Sequence, residues 1–151
     1  MIEGWKVRLW DRRYDIVEDG RTVAIWERSL WGTGGTVQLD GRRFQVRTTL
    51  PGGESSMAEG TGRPVAVAHA VGRKNWAIES DGRTHHFRRS SPWRQEEQRH
   101  DGGGRPVGRI RRTSLWRGDA VADLPGLPRT VELYALALVL SRWESDSAAT
   151  G

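Results

Sequence analysis

Apolar and polar residues alternate along most of this chain, in short runs that turn residues separate. Alternation with a period of two predicts β-strands, because successive side chains of a strand point to opposite faces of the sheet. Four pairs of runs are predicted to form hairpins: 14–18 with 22–27, 37–39 with 43–47, 75–79 with 84–88, and 94–100 with 106–111. Further strands are predicted at 5–10, 64–71, 115–116 and 120–123, which makes about twelve in all.

The dipeptide Asp-Gly stands between the two arms of each predicted hairpin. It occurs at Asp19-Gly20, Asp40-Gly41, Asp81-Gly82 and Asp101-Gly102. Asp-Gly between alternating runs is a strong hairpin signal, because both central residues of the turn need a positive φ. The fourth hairpin is the weakest of these predictions, since its first arm is polar throughout.

The pattern changes near the C-terminus, where residues 128–143 are predicted to form a helix. From 131 to 140 only Glu132 is polar, so almost every side of this helix is apolar. A helix that is apolar on all sides must be buried on all sides, yet ten residues rise only about 15 Å, too short to cross a bilayer. We therefore predict a mainly β fold, a closed antiparallel barrel of about twelve strands around a central apolar C-terminal helix. Glu132, in the first helical turn, is expected at the barrel mouth beside solvent or an arginine.

Length and composition favour one domain, at residues 1–143 of the 151. Residues 51–62 are expected to form a mobile loop, and 144–151 a disordered tail. The chain has no Cys, which excludes disulfides and thiolate metal sites. No signal sequence or membrane-spanning segment is recognisable, so we expect a soluble cytoplasmic protein, with peripheral attachment to a membrane left open.

Three segments resemble the tubby C-terminal-like superfamily, which includes tubby domains, phospholipid scramblases and LURP-one-related proteins. They are the hairpin 14–17 into 23–26, the segment 105–112, and the ending 119–124 that runs into 131–143. The resemblance implies a twelve-stranded barrel threaded by an apolar helix, and a small bacterial-type member. It also implies a phospholipid headgroup as ligand, but no motif assigns the headgroup positions. Asp119 and Asp123 lie where scramblases bind calcium, but two carboxylates are too few ligands, and Asp123 is expected to cap the helix.

Positive charge concentrates in one part of the chain. Between Arg83 and Arg117 there are ten arginines against three acidic residues, an excess larger than the +5 of the whole chain. If Phe87 and Ile110 point inward, their strand neighbours point outward on two adjacent arms. The predicted anion-binding residues are His86, Arg88, Arg109 and Arg111. The alternative interpretation is a solvated barrel exterior, and a codon bias towards Arg accounts for part of the excess.

We therefore expect a non-catalytic domain that binds an anionic phospholipid headgroup or another phosphate-bearing ligand. A protein-interaction or structural module and, less favoured, a nucleic-acid-binding domain are the alternatives. No nucleophile with a base stands out, so neither an enzyme nor a cofactor is expected. His85 and His86 face opposite sides of a strand and cannot share a metal ion, so no metal site is expected. Most tryptophans are expected in the core, with Trp31 and Trp93 as the best exposed candidates for stacking or membrane contact. The oligomeric state does not follow from the sequence.

Overall fold

The computed structural model describes residues 1–6, 12–29, 34–49, 53–90, 95–113 and 119–150. These residues form a mainly β fold, in which twelve antiparallel strands close into a barrel and a C-terminal helix follows. The predicted fold class is therefore confirmed. The strands are β1 Ile2–Lys6, β2 Arg13–Glu18, β3 Arg21–Arg28, β4 Gly34–Leu39, β5 Arg42–Thr49, β6 Glu54–Glu59, β7 Pro64–His69, β8 Asn75–Ser80, β9 Arg83–Arg89, β10 Glu96–His100, β11 Pro106–Arg112 and β12 Ala120–Asp123, and the helix is α1 Arg129–Thr150.

Each strand pairs with the next one along the chain, and β1 pairs with β12 to close the barrel. Turns therefore alternate between the two ends. At one end α1 begins, and Arg129 donates to Glu18 of β2 at 2.5 Å; this end is named the N-terminal mouth. At the other end the last turns of α1 meet the strands, and the Tyr14 hydroxyl donates to Glu144 at 2.5 Å. That end is named the C-terminal mouth.

The tight turns at the N-terminal mouth have the predicted geometry. Asp19, Asp40 and Asp81 have φ angles of 51°, 52° and 51°, and the glycine after each also has a positive φ. Both central residues of these turns are thus left-handed, as a two-residue hairpin requires. The β10–β11 turn is longer, and Asp101 holds it by accepting from the backbone amides of Gly103 and Arg105, each at 2.9 Å.

The apolar part of α1 lies in the centre of the barrel. Every residue from 131 to 140 is buried, and Leu136 has no exposed surface. A Cβ at Gly4 of β1 would lie 3.2 Å from Leu140, so this strand packs directly against the helix. The prediction that sheet surrounds the helix on all sides is confirmed, and burial of this helix supplies much of the apolar core.

The prediction for Glu132 is also confirmed. Its carboxylate lies at the N-terminal mouth and accepts from Arg129 at 3.0 Å, while Arg129 also contacts Glu18. Burial raises the pKa of Glu132, and the hydrogen bond from Arg129 lowers the pKa of the more exposed Glu18.

Three local predictions are wrong. The segment 51–62 contains strand β6, whose alternate residues Ser55 and Met57 are buried in the barrel. The helix continues to Thr150 instead of giving way to a tail at 144, and the ion pair of Arg28 with Glu144 holds its extension. Asp123 does not cap the helix, because it ends β12 and α1 begins only at Arg129. The predicted strand 115–116 lies outside the described residues, so β6 brings the count to twelve.

The tryptophans divide as expected where they are described. Trp26, Trp76 and Trp143 are buried, and the ring of Trp76 stacks on Phe87 with centroids 4.4 Å apart. Trp5 is 46% exposed and donates to Glu3. Both Trp31 and Trp93 lie outside the described residues.

Candidate functional site

The four predicted anion-binding residues lie on the outside of the barrel. His86 and Arg88 of β9 and Arg109 and Arg111 of β11 are exposed. Between them in sequence, Phe87 and Ile110 are buried, at 2% and 0% exposure. Alternation therefore predicted the direction of these side chains correctly. We call this surface the β9–β11 face.

The arms of the β9–β11 face are not adjacent, which corrects the sequence prediction. β10 lies between them, so that Gln98 is opposite both Arg88 and Arg109. Glu96 of β10 is opposite Arg111, and its carboxylate is 3.5 Å from Arg109. β10 therefore places a carboxylate within the cationic stripe.

Strand β12, on the other side of β11, adds a second carboxylate to this face. Asp123 of β12 is opposite Arg109, so Arg109 has an acidic residue on both neighbouring strands. A surface ion pair such as Arg109–Glu96 contributes little to stability, but each carboxylate on this face reduces the positive potential that an anionic ligand meets.

A second arginine-rich surface lies on the outside of β3, β4 and β5, where the sequence analysis predicted no site. It forms a groove of about 360 Å³ that opens near the C-terminal mouth. The side chains used below are Arg12, Glu27, Thr36, Arg43, Gln45 and Arg47. We call this surface the β3–β5 groove.

Strand register explains how the groove is lined. Gln38 lies opposite both Ile25 of β3 and Arg43 of β5, and Thr36 lies opposite both Glu27 and Gln45. Arg43 and Arg47 are four residues apart on one strand, so both point outward, about 13 Å apart along β5. Arg12 lies at the other side of the groove, where its carbonyl accepts from the Arg28 amide at 2.9 Å.

The glycines at the start of β4 keep its backbone close to both neighbours. A Cβ at Gly35 would lie 2.2 Å from the Glu27 carbonyl oxygen and 2.8 Å from the Trp26 ring. At Gly34, where φ is 114°, a Cβ would lie 2.2 Å from the Val46 carbonyl oxygen. No larger residue fits either position without movement of the backbone. The two glycines therefore serve to pack β4 against its neighbouring strands.

The charges of the groove differ from those of the β9–β11 face. Arg12, Arg43 and Arg47 form no ion pair with any residue in the described ranges. Among the described residues that line this 360 Å³ part of the groove, Glu27 is the single acid. Arg28 also lines the groove, but its guanidinium pairs with Glu144. Three cations are thus left to meet a ligand, together with the hydroxyl of Thr36 and the amide of Gln45.

The groove continues towards the N-terminal mouth. A second depression of about 350 Å³ shares Ile25, Gln38 and Arg43 with the first. Its remaining lining includes Val23 and Arg42. Arg42 donates to Glu59 through Nε at 2.9 Å and through Nη2, and its guanidinium lies 5.0 Å above the Phe44 ring. This arginine is therefore already paired, unlike those at the other end.

Inside the barrel, behind the β9–β11 face, lies a buried carboxylate that the sequence analysis did not single out. Glu97 is 2% exposed; it accepts from Trp76 at 3.3 Å and from Arg142 at 3.2 Å, and Arg89 is 3.8 Å away. Burial raises the pKa of Glu97 to about 7, against the lowering effect of Trp76 and Arg89. Glu97 links β8, β9 and β10 to the C-terminal part of α1. Its inward direction could have been predicted from strand alternation, because its neighbour Glu96 points outward.

A neighbouring cluster fastens the same end of the helix. Glu144 accepts from the Tyr14 hydroxyl and pairs with Arg28, while the Arg112 guanidinium lies 5.5 Å above the Trp143 ring. Burial raises the pKa of Tyr14 to about 12. These contacts join side chains of the barrel to α1, so we assign them a structural role.

Metal binding finds no support within the described part of the chain. It contains no group of three or more His, Asp or Glu residues arranged to hold an ion. His69 comes nearest, but Glu54 at 2.6 Å and Glu79 at 3.2 Å occupy its two ring nitrogens. These carboxylates raise the pKa of His69, so the three side chains form a surface ion-pair cluster.

No family model, curated protein or solved structure matches this chain. The resemblance to the tubby C-terminal-like superfamily therefore stays a prediction from the sequence. Among the described residues, α1 lacks the continuous apolar length that a membrane-spanning helix needs.

Proposed function

We propose that this protein is a non-catalytic barrel domain that binds an anionic, phosphate-bearing ligand in the β3–β5 groove. One observation carries the proposal: three arginines without an ion-pair partner among the described residues surround a concave surface of about 360 Å³. This volume lies in the range of small-molecule sites. A phosphomonoester or a lipid headgroup has the charge that such a lining favours.

Arginine suits phosphate because its planar guanidinium donates two parallel hydrogen bonds to two phosphate oxygens. Arg43 and Arg47 belong to one strand, so the scaffold fixes their spacing. Gln45 stands between them and can donate from its amide, and Thr36 on the neighbouring strand adds a hydroxyl. Apart from Glu27, the polar side chains named for this lining are hydrogen-bond donors and cations, which suit an anion.

The β9–β11 face is the weaker candidate for the same ligand. The Glu96 carboxylate, 3.5 Å from Arg109, competes with any anion for that guanidinium, and Asp123 of β12 lies opposite the same arginine. The role predicted for His86, Arg88, Arg109 and Arg111 stays a prediction, and it provides a natural control. A protein-interaction module and a nucleic-acid-binding domain are the alternatives against which the proposal is tested.

The test is calorimetric titration of glycerol 3-phosphate into matched double variants. Loss of a charge-assisted hydrogen bond costs about 1.5 kcal/mol, so Arg43→Gln with Arg47→Gln is expected to weaken binding about 100-fold. Arg88→Gln with Arg109→Gln removes the same charge from the other surface and is expected to change affinity less than threefold. Thermal melts of both variants show whether each remains folded.

Two other outcomes would contradict the proposal. Equal loss in both variants would mean that only net charge matters, and the groove would not be the site. Failure of the wild type to bind glycerol 3-phosphate, combined with tight binding of a single-stranded oligonucleotide that falls steeply with salt, would favour the nucleic-acid alternative.

A further inference from the structure

The two halves of the β3–β5 groove have different chemistry. The half near the C-terminal mouth carries Arg12 and Arg47, which have no ion-pair partner among the described residues. The half near the N-terminal mouth has Val23 and Ile25, whose side chains are half-buried on the outside of β3. The halves meet at Ile25, Gln38 and Arg43, which line both depressions.

The charges of the N-terminal half do not suit a second anion. Glu59 neutralises Arg42 through two hydrogen bonds, and the Phe44 ring covers one side of its guanidinium. Asp40 lines the same depression and adds a negative charge. A ligand with phosphates spread along the groove would therefore meet cations at one end and a carboxylate at the other.

The length of the groove limits the ligand. From Arg42 to Arg47 the strand rises about 17 Å, since each residue of an antiparallel strand adds about 3.4 Å. An anionic group seated between Arg43 and Arg47 leaves room in the N-terminal half for an apolar segment of a few carbon atoms. Val23 and Ile25 are the aliphatic side chains that such a segment would cover.

We infer that the groove takes a single amphiphilic phosphate, with its phosphate on Arg43 and Arg47 and a short alkyl or acyl segment on Val23 and Ile25. This inference rests on the proposed function, because it assumes that the anion occupies the cationic half. It adds that the ligand lies along the outside of β3 and β4 as one molecule, and that a headgroup presented by a bilayer is not needed for binding.

The test compares phosphomonoesters of increasing chain length, each below its micelle concentration. Ethyl, butyl and hexyl phosphate have the same charge, and glycerol 3-phosphate is the probe without an alkyl chain. Burial of a methylene strengthens binding about fourfold when it is complete. Because this half is open to solvent, we expect at least a tenfold tighter dissociation constant for hexyl than for ethyl phosphate.

Two variants locate the chain-length effect. Val23→Thr removes aliphatic surface from the N-terminal half alone, and it is expected to abolish most of the chain-length gain while glycerol 3-phosphate binds as before. Val67→Thr is the matched control, because Val67 is a half-buried residue of β7 outside the groove. It is expected to keep the full gain. Melting temperatures of both variants establish that the barrel is intact.

The outcomes separate the inference from the function on which it rests. Equal affinity for ethyl and hexyl phosphate would overturn the amphiphile and leave phosphate binding in place. No binding of any probe would overturn both. Vesicles containing anionic phospholipid provide the last arm: binding to vesicles without binding of hexyl phosphate would mean that the groove reads a headgroup at a membrane surface, which overturns the inference.

Discussion

The β3–β5 groove and the β9–β11 face are both arginine-rich outer surfaces of one barrel, yet they are not equivalent. In the groove, Arg43 and Arg47 have no ion-pair partner among the described residues and border a concave surface. On the face, Glu96 and Asp123 flank Arg109. The comparison shows that cross-strand neighbours decide which arginines pair with a carboxylate, whatever their density along the chain.

The charge excess between 83 and 117 illustrates this point. Three of its ten arginines do not contribute to an outer cationic surface. Arg89 points to the buried Glu97, Arg99 donates to the Pro125 carbonyl at 3.0 Å, and Arg112 lies over Trp143. Three arginines of the excess therefore satisfy groups inside the barrel or at its mouths. The segment with the largest excess of positive charge in the sequence therefore need not form the most positive surface.

The largest expected effect comes from destroying the frame that both surfaces share. Leu136→Asp places a charge where the side chain has no exposed surface and belongs to the apolar core cluster. The cost is comparable to the whole stability of a domain, about 5–15 kcal/mol, so the variant is expected to be unfolded. Circular dichroism measures this, and Leu136→Met, which conserves volume, is the control. A folded Leu136→Asp protein with an unchanged melting temperature would contradict the central burial of α1.

A smaller effect, a dependence of stability on pH, is expected from the buried carboxylate behind the β9–β11 face. Glu97, behind the β9–β11 face, has its pKa raised by burial to about 7. Between about pH 4.5 and 7 the folded protein holds a proton that the unfolded chain has lost. Stability is therefore highest below this window and falls as the pH rises through it, by about 3 kcal/mol for this residue alone.

Urea unfolding at pH 5, 6, 7 and 8 measures this dependence, with Glu97→Gln as the variant that lacks the titrating group. His85 acts in the opposite direction, because burial lowers its pKa, and Glu132 acts in the same direction as Glu97. The difference between the wild-type and variant profiles isolates Glu97. Parallel profiles would contradict the assignment.

Much of the fold followed from the sequence because its signals are local. Period-two alternation located the strands, Asp-Gly marked the tight turns, and the apolar run at 131–140 required burial on all sides. Strand β6 was not predicted, because its buried residues Ser55 and Met57 lie in a segment rich in Gly and Ser, a composition typical of a loop. The C-terminal end of α1 was predicted too early, because Glu144 is held by Tyr14 and Arg28, which are distant in the sequence.

The site was less predictable for a related reason. The outward direction of Arg88 and Arg109 followed from alternation, but the carboxylates beside Arg109 depend on which strands pair and in what register. The groove depends on the register of β3, β4 and β5 and on the tight packing of Gly35 against β3. Neither is encoded in a local pattern, so the sequence did not indicate the groove.

The most direct test of the central claim is an NMR titration of the arginine side chains. In ¹⁵N-labelled protein, with signals assigned by single Arg→Lys variants, glycerol 3-phosphate is expected to shift the Nε–Hε resonances of Arg43 and Arg47 to saturation. Those of Arg88 and Arg109 are expected to stay in place. Saturable shifts at Arg88 and Arg109, with Arg43 and Arg47 unchanged, would contradict the account.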